Sequence, residues 1–158
     1  YCQGHANAFG CSIPEDKLDE FIKVTNELYR DVSKEPVYWV DFVWTKNEID
    51  GQTILDIAEA KQYWGQEVSE PYIAVSGINL STCHIQGLSM DKHPTIKIHL
   101  DNGIDIMKFK SSQEEYESFI GNNKILTAIC RCAKNEWNGN ISAQLIIEDF
   151  ELREEWVF

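Results

Sequence analysis

Past residue 70, runs of β-branched, aliphatic and aromatic residues follow one another: PYIAVSGINL, PTIKIHL, IDIMKFK, KILTAICRCAK and ISAQLIIEDFEL. Such residues suit the pleated, half-buried surface of a strand. One helical stretch, SSQEEYESFIG, separates the third run from the fourth. Ser112 and Glu115 have capping-box spacing there, and Gly121 provides a stop. The order is strand, strand, strand, helix, strand, strand, which leaves few folds open.

It is the order of an OB-fold, a five-stranded barrel with its helix between strands three and four. Two dipeptides sharpen the expectation, because Asn-Gly is a strong two-residue hairpin signal. If Asn102-Gly103 is such a loop, Ile96 faces Phe109, Ile98 faces Met107 and Leu100 faces Asp105 on a mostly apolar face. The opposite face then pairs Thr95 with Lys110, Lys97 with Lys108 and His99 with Ile106. If Asn138-Gly139 is the second loop, Cys130 faces Ile147, Arg131 faces Ile146 and Cys132 faces Leu145. A slip of one residue would exchange the two faces.

The first part of the chain reads differently. Residues 12–31 carry Leu18, Phe21, Ile22, Leu28 and Tyr29 on one side of a 3.6 repeat, with Ser12 and Glu15 at capping spacing and Pro14 in the first turn. Glu35-Pro36 breaks that pattern, and PVYWVDFVW follows as a strand, with Trp39 and Trp44 expected in the core. Asp50-Gly51 marks a turn before a helix over about 53–64, which Gly65 ends. The class is α+β: a partial α/β substrate-binding domain over 1–64, then the barrel over 65–158.

The 158 residues carry a net charge of −12. There are 6 Lys and Arg against 12 Asp and Glu up to Trp64, and 8 against 14 beyond, so each part is −6. That counts against a strong autonomous nucleic-acid binder and leaves only a local patch. Five cysteines at irregular spacing do not form a disulfide framework, which points to a reducing, cytoplasmic compartment. No apolar run is long enough to cross a bilayer.

The opening, YCQGHANAFG, sets a histidine among glycines and small residues. Glycines admit a ligand close to the backbone, and exposed N–H groups with a histidine can hold a phosphate. The competing reading is a turn with a small-residue packing seam, which composition alone favours. CQGHANAFGCSIPEDKLDEFIKVTNELY resembles the C-terminal substrate-binding domain of DHH-family phosphoesterases, with Gly4-His5-Ala6-Asn7-Ala8-Phe9-Gly10 carrying the match. YWGQEVSEPYI, through Trp64-Gly65-Gln66 and Glu70-Pro71, resembles a segment of the RecJ-like branch, the single-strand-specific DNA exonucleases. NEWNG, followed by QLIIEDFEL, resembles the end of the OB domain in that branch.

The resemblance implies that the chain starts inside a longer enzyme that digests single-stranded DNA from its 5′ end. It also implies two divalent ions, manganese or magnesium, in an upstream catalytic DHH domain, where they activate water and steady the leaving oxygen. This stretch would hold no catalytic residue and no cofactor of its own, and alone it would hydrolyse nothing. Gly4, His5, Asn7 and Gly10 would hold the scissile phosphate or a terminal nucleotide beside that domain.

Single-stranded DNA is the expected partner of the barrel. Lys97, His99, Lys108 and Lys110 would form a basic face tracking the phosphates, with Trp137 stacking on a base. Local carboxylates could instead neutralise those lysines, and Trp137 could pack over the sheet edge. The other histidines, His84 and His93, have no paired carboxylate at metal spacing, and Cys130-x-Cys132 reads as two buried thiols. The alternative from another class is a module docking a single-strand-binding protein or another repair factor. No membrane is expected as a partner.

Overall fold

The computed structural model describes residues 2–5, 8–32, 36–65, 67–92, 94–121 and 123–154, with backbone only at Cys2, Gly4, His5, Ala8 and Phe9. Asn7 and His93, both singled out above, lie outside the described residues. The chain divides into two compact units, Tyr1–Val37 and Tyr38–Phe158.

In the first unit, β1 (Cys2–His5) pairs antiparallel with β2 (Ala8–Cys11), setting Gly4 opposite Phe9 and His5 opposite Ala8. A 3-10 turn over Glu15–Lys17 leads into α1 (Leu18–Leu28). This helix starts later than the expected cap at Ser12, because Pro14 is still extended (φ −55°, ψ 140°). No residue of α1 is buried, and its apolar stripe of Leu18, Phe21, Ile22 and Leu28 is exposed.

The second unit starts at Tyr38, and in it the strand Phe42–Thr45 joins the sheet and the helix Gly51–Glu59 packs against the strands Lys124–Trp137 and Asn140–Glu154. β3 (Phe42–Thr45) runs parallel to β4 (Ile73–Asn79). It is shorter than the strand expected over PVYWVDFVW. Trp39 precedes it and is 87% exposed, so that residue is not core, whereas Trp44 packs against the core. α2 (Gly51–Glu59) begins two residues earlier than expected. Asp50 is its cap rather than a turn residue: the carboxylate accepts from the Thr53 N–H at 2.7 Å. Ile54 of α2 is fully buried.

The remaining elements are β5 (His84–Leu88), β6 (Thr95–His99), β7 (Asp105–Lys108), α3 (Gln113–Phe119), β8 (Lys124–Trp137) and β9 (Asn140–Glu154). Their order across the sheet is β3-β4-β8-β9-β7-β6-β5. β4 and β5 are joined only by a 3-10 turn, Leu80–Thr82, so together they are one barrel strand in two halves. One half pairs with β8 and the other with β6. Read that way, the order is that of an OB-fold, including the parallel pair β7–β9. The sequence pattern did not reveal β5, since HIQGL has only Ile85 as a strong inward signal.

Fully buried Ile73, Ile98, Ile106, Leu126 and Leu145 fill the barrel, each stabilising it by roughly 1.5–3 kcal/mol relative to exposure. α3 forms as expected, with the Ser112 hydroxyl accepting from Glu115 N–H and the Glu115 carboxylate accepting from Ser112 N–H. Its Phe119 is fully buried and meets Phe150 with ring centroids 4.8 Å apart.

The two Asn-Gly hairpins differ. At the second, Asn138 (φ 49°) and Gly139 (φ 78°) both take positive φ, which makes a two-residue turn. Cys130 pairs with Ile147, Arg131 with Ile146 and Cys132 with Leu145, as expected. At the first, only Gly103 is left-handed (φ 84°), and Leu100 and Ile104 bracket a three-residue loop in which Leu100 N–H donates to Ile104 C=O at 3.0 Å. The register is therefore one residue from the expected one: Ile96 pairs with Lys108, Lys97 with Met107, Ile98 with Ile106 and His99 with Asp105.

Candidate nucleic-acid interface

Alternation along β5, β6 and β7 gives the barrel an outer face. His84, Gln86 and Leu88 stand opposite His99, Lys97 and Thr95, and beyond them come Asp105 and Met107. Most of this face is exposed or half-buried; Met107, at 9% exposure, is the exception. In an OB-fold this is the side that meets oligonucleotides.

Lys97 and His99 lie together here as expected, but not as a free cationic pair. Asp105 stands between them, with one carboxylate oxygen 2.8 Å from Lys97 Nζ and the other 2.7 Å from His99 Nδ1. Burial pushes the Asp105 carboxyl up, but the hydrogen bonds and charges of Lys97 and His99 outweigh that and hold it below its usual range. The expected opposition of Lys97 and Lys108 does not occur. The three-residue loop turns Lys108 to the alternate side of β7, opposite Ile96, where its Nζ donates to Phe109 C=O at 3.4 Å.

The same shift moves Phe109 outward. It was expected inside, facing Ile96; it is instead 45% exposed and continues the outer face beside Thr95. With Lys92, Pro94, Thr95, Lys110 and Ser111 it lines an open cleft of about 570 Å³. Lys110 is thus placed with Lys92, at the end of β6 and β7 away from the Asp101–Gly103 loop. Sequence reasoning missed Lys92 and Phe109. The signal that could have found them is Asp101, which makes a three-residue loop ending in a left-handed glycine as reasonable as a two-residue one.

Trp137 stands at the end of β8, at the β8–β9 tip, and is 72% exposed. The parallel pairing of Asp105 with Gln144 sets this tip beyond the start of β7, at the other end of the barrel from the cleft.

Farther round the barrel, Arg131 is held by two carboxylates, donating through Nε and Nη2 to Glu148 and through Nη1 to Glu70 at 3.4 Å. Glu148 is the extra residue at a bulge in the β8–β9 register. The buried Cys132 thiol is pushed up to about 12 by burial and by Glu70, and burial raises the Cys130 thiol as well. Both are inert at neutral pH. Cys11, Cys83, Cys130 and Cys132 are free thiols. Among the described residues no three His, Cys, Asp or Glu side chains gather as metal ligands, and no helix is long and apolar enough to cross a membrane.

In the first unit the backbone of Gly4 and His5 lies in β1, and Gly10 lies opposite Gln3 in β2. A Cβ on Gly10 would meet nothing within 4 Å, so crowding does not explain that glycine. Gln3, Gly10, Cys11 and Ser12 line a shallow recess of about 360 Å³.

A family model described as the RecJ OB domain matches residues 40–149. Over 156 residues the chain is 29% identical to a putative SPbeta prophage-derived single-strand DNA-specific exonuclease, YorK, of Bacillus subtilis (strain 168), and to its counterpart in Bacillus phage SPbeta. The match takes in 96% of this chain and 27% of each relative, so the chain spans about a quarter of their length. Among solved structures it superposes on RecJ from Thermus thermophilus in complex with Mn2+, with a TM-score of 0.62 at 17% identity, covering 99% of this chain and 22% of that one. The Mg2+ complex gives 0.61 at 16% identity, covering 99% and 23%.

Proposed function

The chain belongs to the RecJ OB-domain family, and from that premise we propose that it is the DNA-gripping part of a longer exonuclease that digests single-stranded DNA from the 5′ end. The observation that carries this reading is the outer face of β5, β6 and β7, which is largely open and polar on a barrel type that binds single strands there. Two curated relatives are named as single-strand DNA-specific exonucleases, and this chain spans 27% of each. Manganese or magnesium would be held by another part of the longer protein, in a DHH-type domain. Nothing among the described residues here forms a ligand set for them, and no step is routed through a metal in this chain.

In this proposal Lys97, His99 and Lys110 lie along the path of the phosphates, and Trp137 stacks on a base at the hairpin tip. Lys108 contributes only at the barrel end. Gly4, His5, Asn7 and Gly10 hold the terminal phosphate next to the catalytic domain. A reducing, cytoplasmic setting suits the free thiols.

A labelled single strand, titrated with the chain at low and moderate salt, tests the reading. The expected result is binding that weakens as salt rises. An intact fold with negligible affinity at low salt would favour the second reading, a module docking a single-strand-binding protein or another repair factor. The net charge of −12 and the edge strand β3, whose Val43 is 61% exposed, speak for that alternative.

A further inference from the structure

We infer that the cleft between the β5–β6 loop and the end of β7 is a nucleotide subsite for single-stranded DNA, with Phe109 stacking on a base and Lys92 and Lys110 flanking its phosphate. This rests on the single-strand reading above and adds to it a place and a mode of contact.

Four observations converge. First, the cleft joins an exposed aromatic ring to two cations, and its lining of Lys92, Pro94, Thr95, Phe109, Lys110 and Ser111 includes no carboxylate. Among the described residues neither Lys92 nor Lys110 forms an ion pair, whereas Lys97 is held by Asp105 and Lys46 by Asp101. Lys92 and Lys110 thus line one cleft, with no carboxylate among its described lining residues, in a chain of net charge −12. Second, Lys110 takes φ 56°, a conformation that glycine or asparagine adopts more readily. A lysine kept in this conformation is a reason to test its side chain.

Third, the walls are tied together. Ser111 N–H donates to Pro94 C=O at 2.9 Å, and the buried Ser111 hydroxyl donates to Lys108 C=O at 3.1 Å. The loop bearing Lys92 is seated by Gly87, where an added Cβ would lie 2.5 Å from Met90 Sδ and 3.0 Å from the Tyr116 ring. A site held this way loses little freedom on binding. Fourth, the cleft continues the outer face of β6 and β7, so a strand crossing that face runs into it. Base stacking on an aromatic ring is indifferent to sequence, which suits a grip on single strands of any sequence.

The test compares the full chain with Phe109→Ala, Phe109→Trp and the pair Lys92→Gln with Lys110→Gln, using a labelled oligothymidylate over a salt series. Phe109→Ala is expected to weaken binding by about 5- to 100-fold with an unchanged salt slope. Phe109→Trp should restore it. The double lysine variant should lower the slope of log affinity against log salt by about 0.7 for each phosphate it no longer neutralises. Irradiating a bromodeoxyuridine-substituted strand on the native chain should crosslink the peptide that contains Phe109, a readout independent of how the variants fold. If the native chain binds but Phe109→Ala binds equally well and crosslinks map elsewhere, the subsite is overturned and the single-strand reading stands. If only the lysine variant matters, the stacking role is overturned. If the native chain binds no strand at low salt, both readings fall.

Discussion

The two Asn-Gly hairpins are the same dipeptide in two different turns. At Asn138-Gly139 both residues are left-handed, the loop is two residues long, and Cys130, Arg131 and Cys132 take the expected partners up to the bulge at Glu148. At Asn102-Gly103 only the glycine is left-handed, and the loop takes in Asp101 as well. Asn102 is anchored outside the turn by its amide, which donates to Ile49 C=O at 3.2 Å, and its side-chain oxygen also accepts from Ile104 N–H within the turn. Local turn chemistry decides a hairpin when nothing else touches it, as at the projecting β8–β9 tip. Where a loop is anchored to a neighbouring segment, tertiary contacts choose the length.

That difference can be broken at its core. In the observed register Ile106 is fully buried and Phe109 faces solvent; in the two-residue register the two would exchange. Ile106→Ala should cost about 2–5 kcal/mol in denaturant unfolding, and Phe109→Ala under about 1 kcal/mol. The reverse ranking would show that the hairpin has slipped. A finer probe makes one substitution in both turns. Asn102→Gly should cost about 1 kcal/mol, by loss of its side-chain hydrogen bonds. Asn138→Gly should stay within about 0.5 kcal/mol, because glycine accepts the left-handed position freely. Equal costs would mean that the turns are of one kind.

A further modest effect is expected at Asp105, which meets His99 only in the observed register. Its folded pKa is depressed, so its stabilisation is present above the unfolded value of about 3.9 and is lost as pH falls through the lower folded value. Unfolding measured at pH 7, 4 and 3 should show native protein losing more stability on acidification than Asp105→Asn. The difference should be under about 1 kcal/mol, given the partial exposure of Lys97 and His99. A variant as acid-sensitive as the native chain would dissolve the Lys97–Asp105–His99 cluster.

The barrel was legible because its long strands carry an alternation of apolar residues, interrupted in β9 by the bulge at Glu148. Ile98, Leu126, Leu145 and Ile147 face inward as the period of two requires. α3 was legible because both halves of its capping box are local. Trp39 was not, since β propensity says nothing about whether a partner strand extends that far. β5 escaped because its five residues include a glycine and two polar side chains. The candidate site was half legible. Composition pointed to lysines on β6 and β7, but which side of the sheet they share, and that Asp105 holds Lys97, depends on one residue of register. That residue separated Lys97 from Lys108 and set the Phe109 ring in the cleft with Lys92 and Lys110.

Because the first barrel strand is split between β4 and β5, the closing seam joins segments far apart along the chain, Ile73 to Cys130 and Asn79 to Ile125. The β5–β6–β7 meander and the β8–β9 ribbon can each zip up from a nearby turn, but the seam must wait until both exist and then bear the entropy of a long loop. During synthesis the β4 edge therefore stays unsatisfied until the ribosome has delivered β8, and a chain stalled before that point would present an open strand to its neighbours.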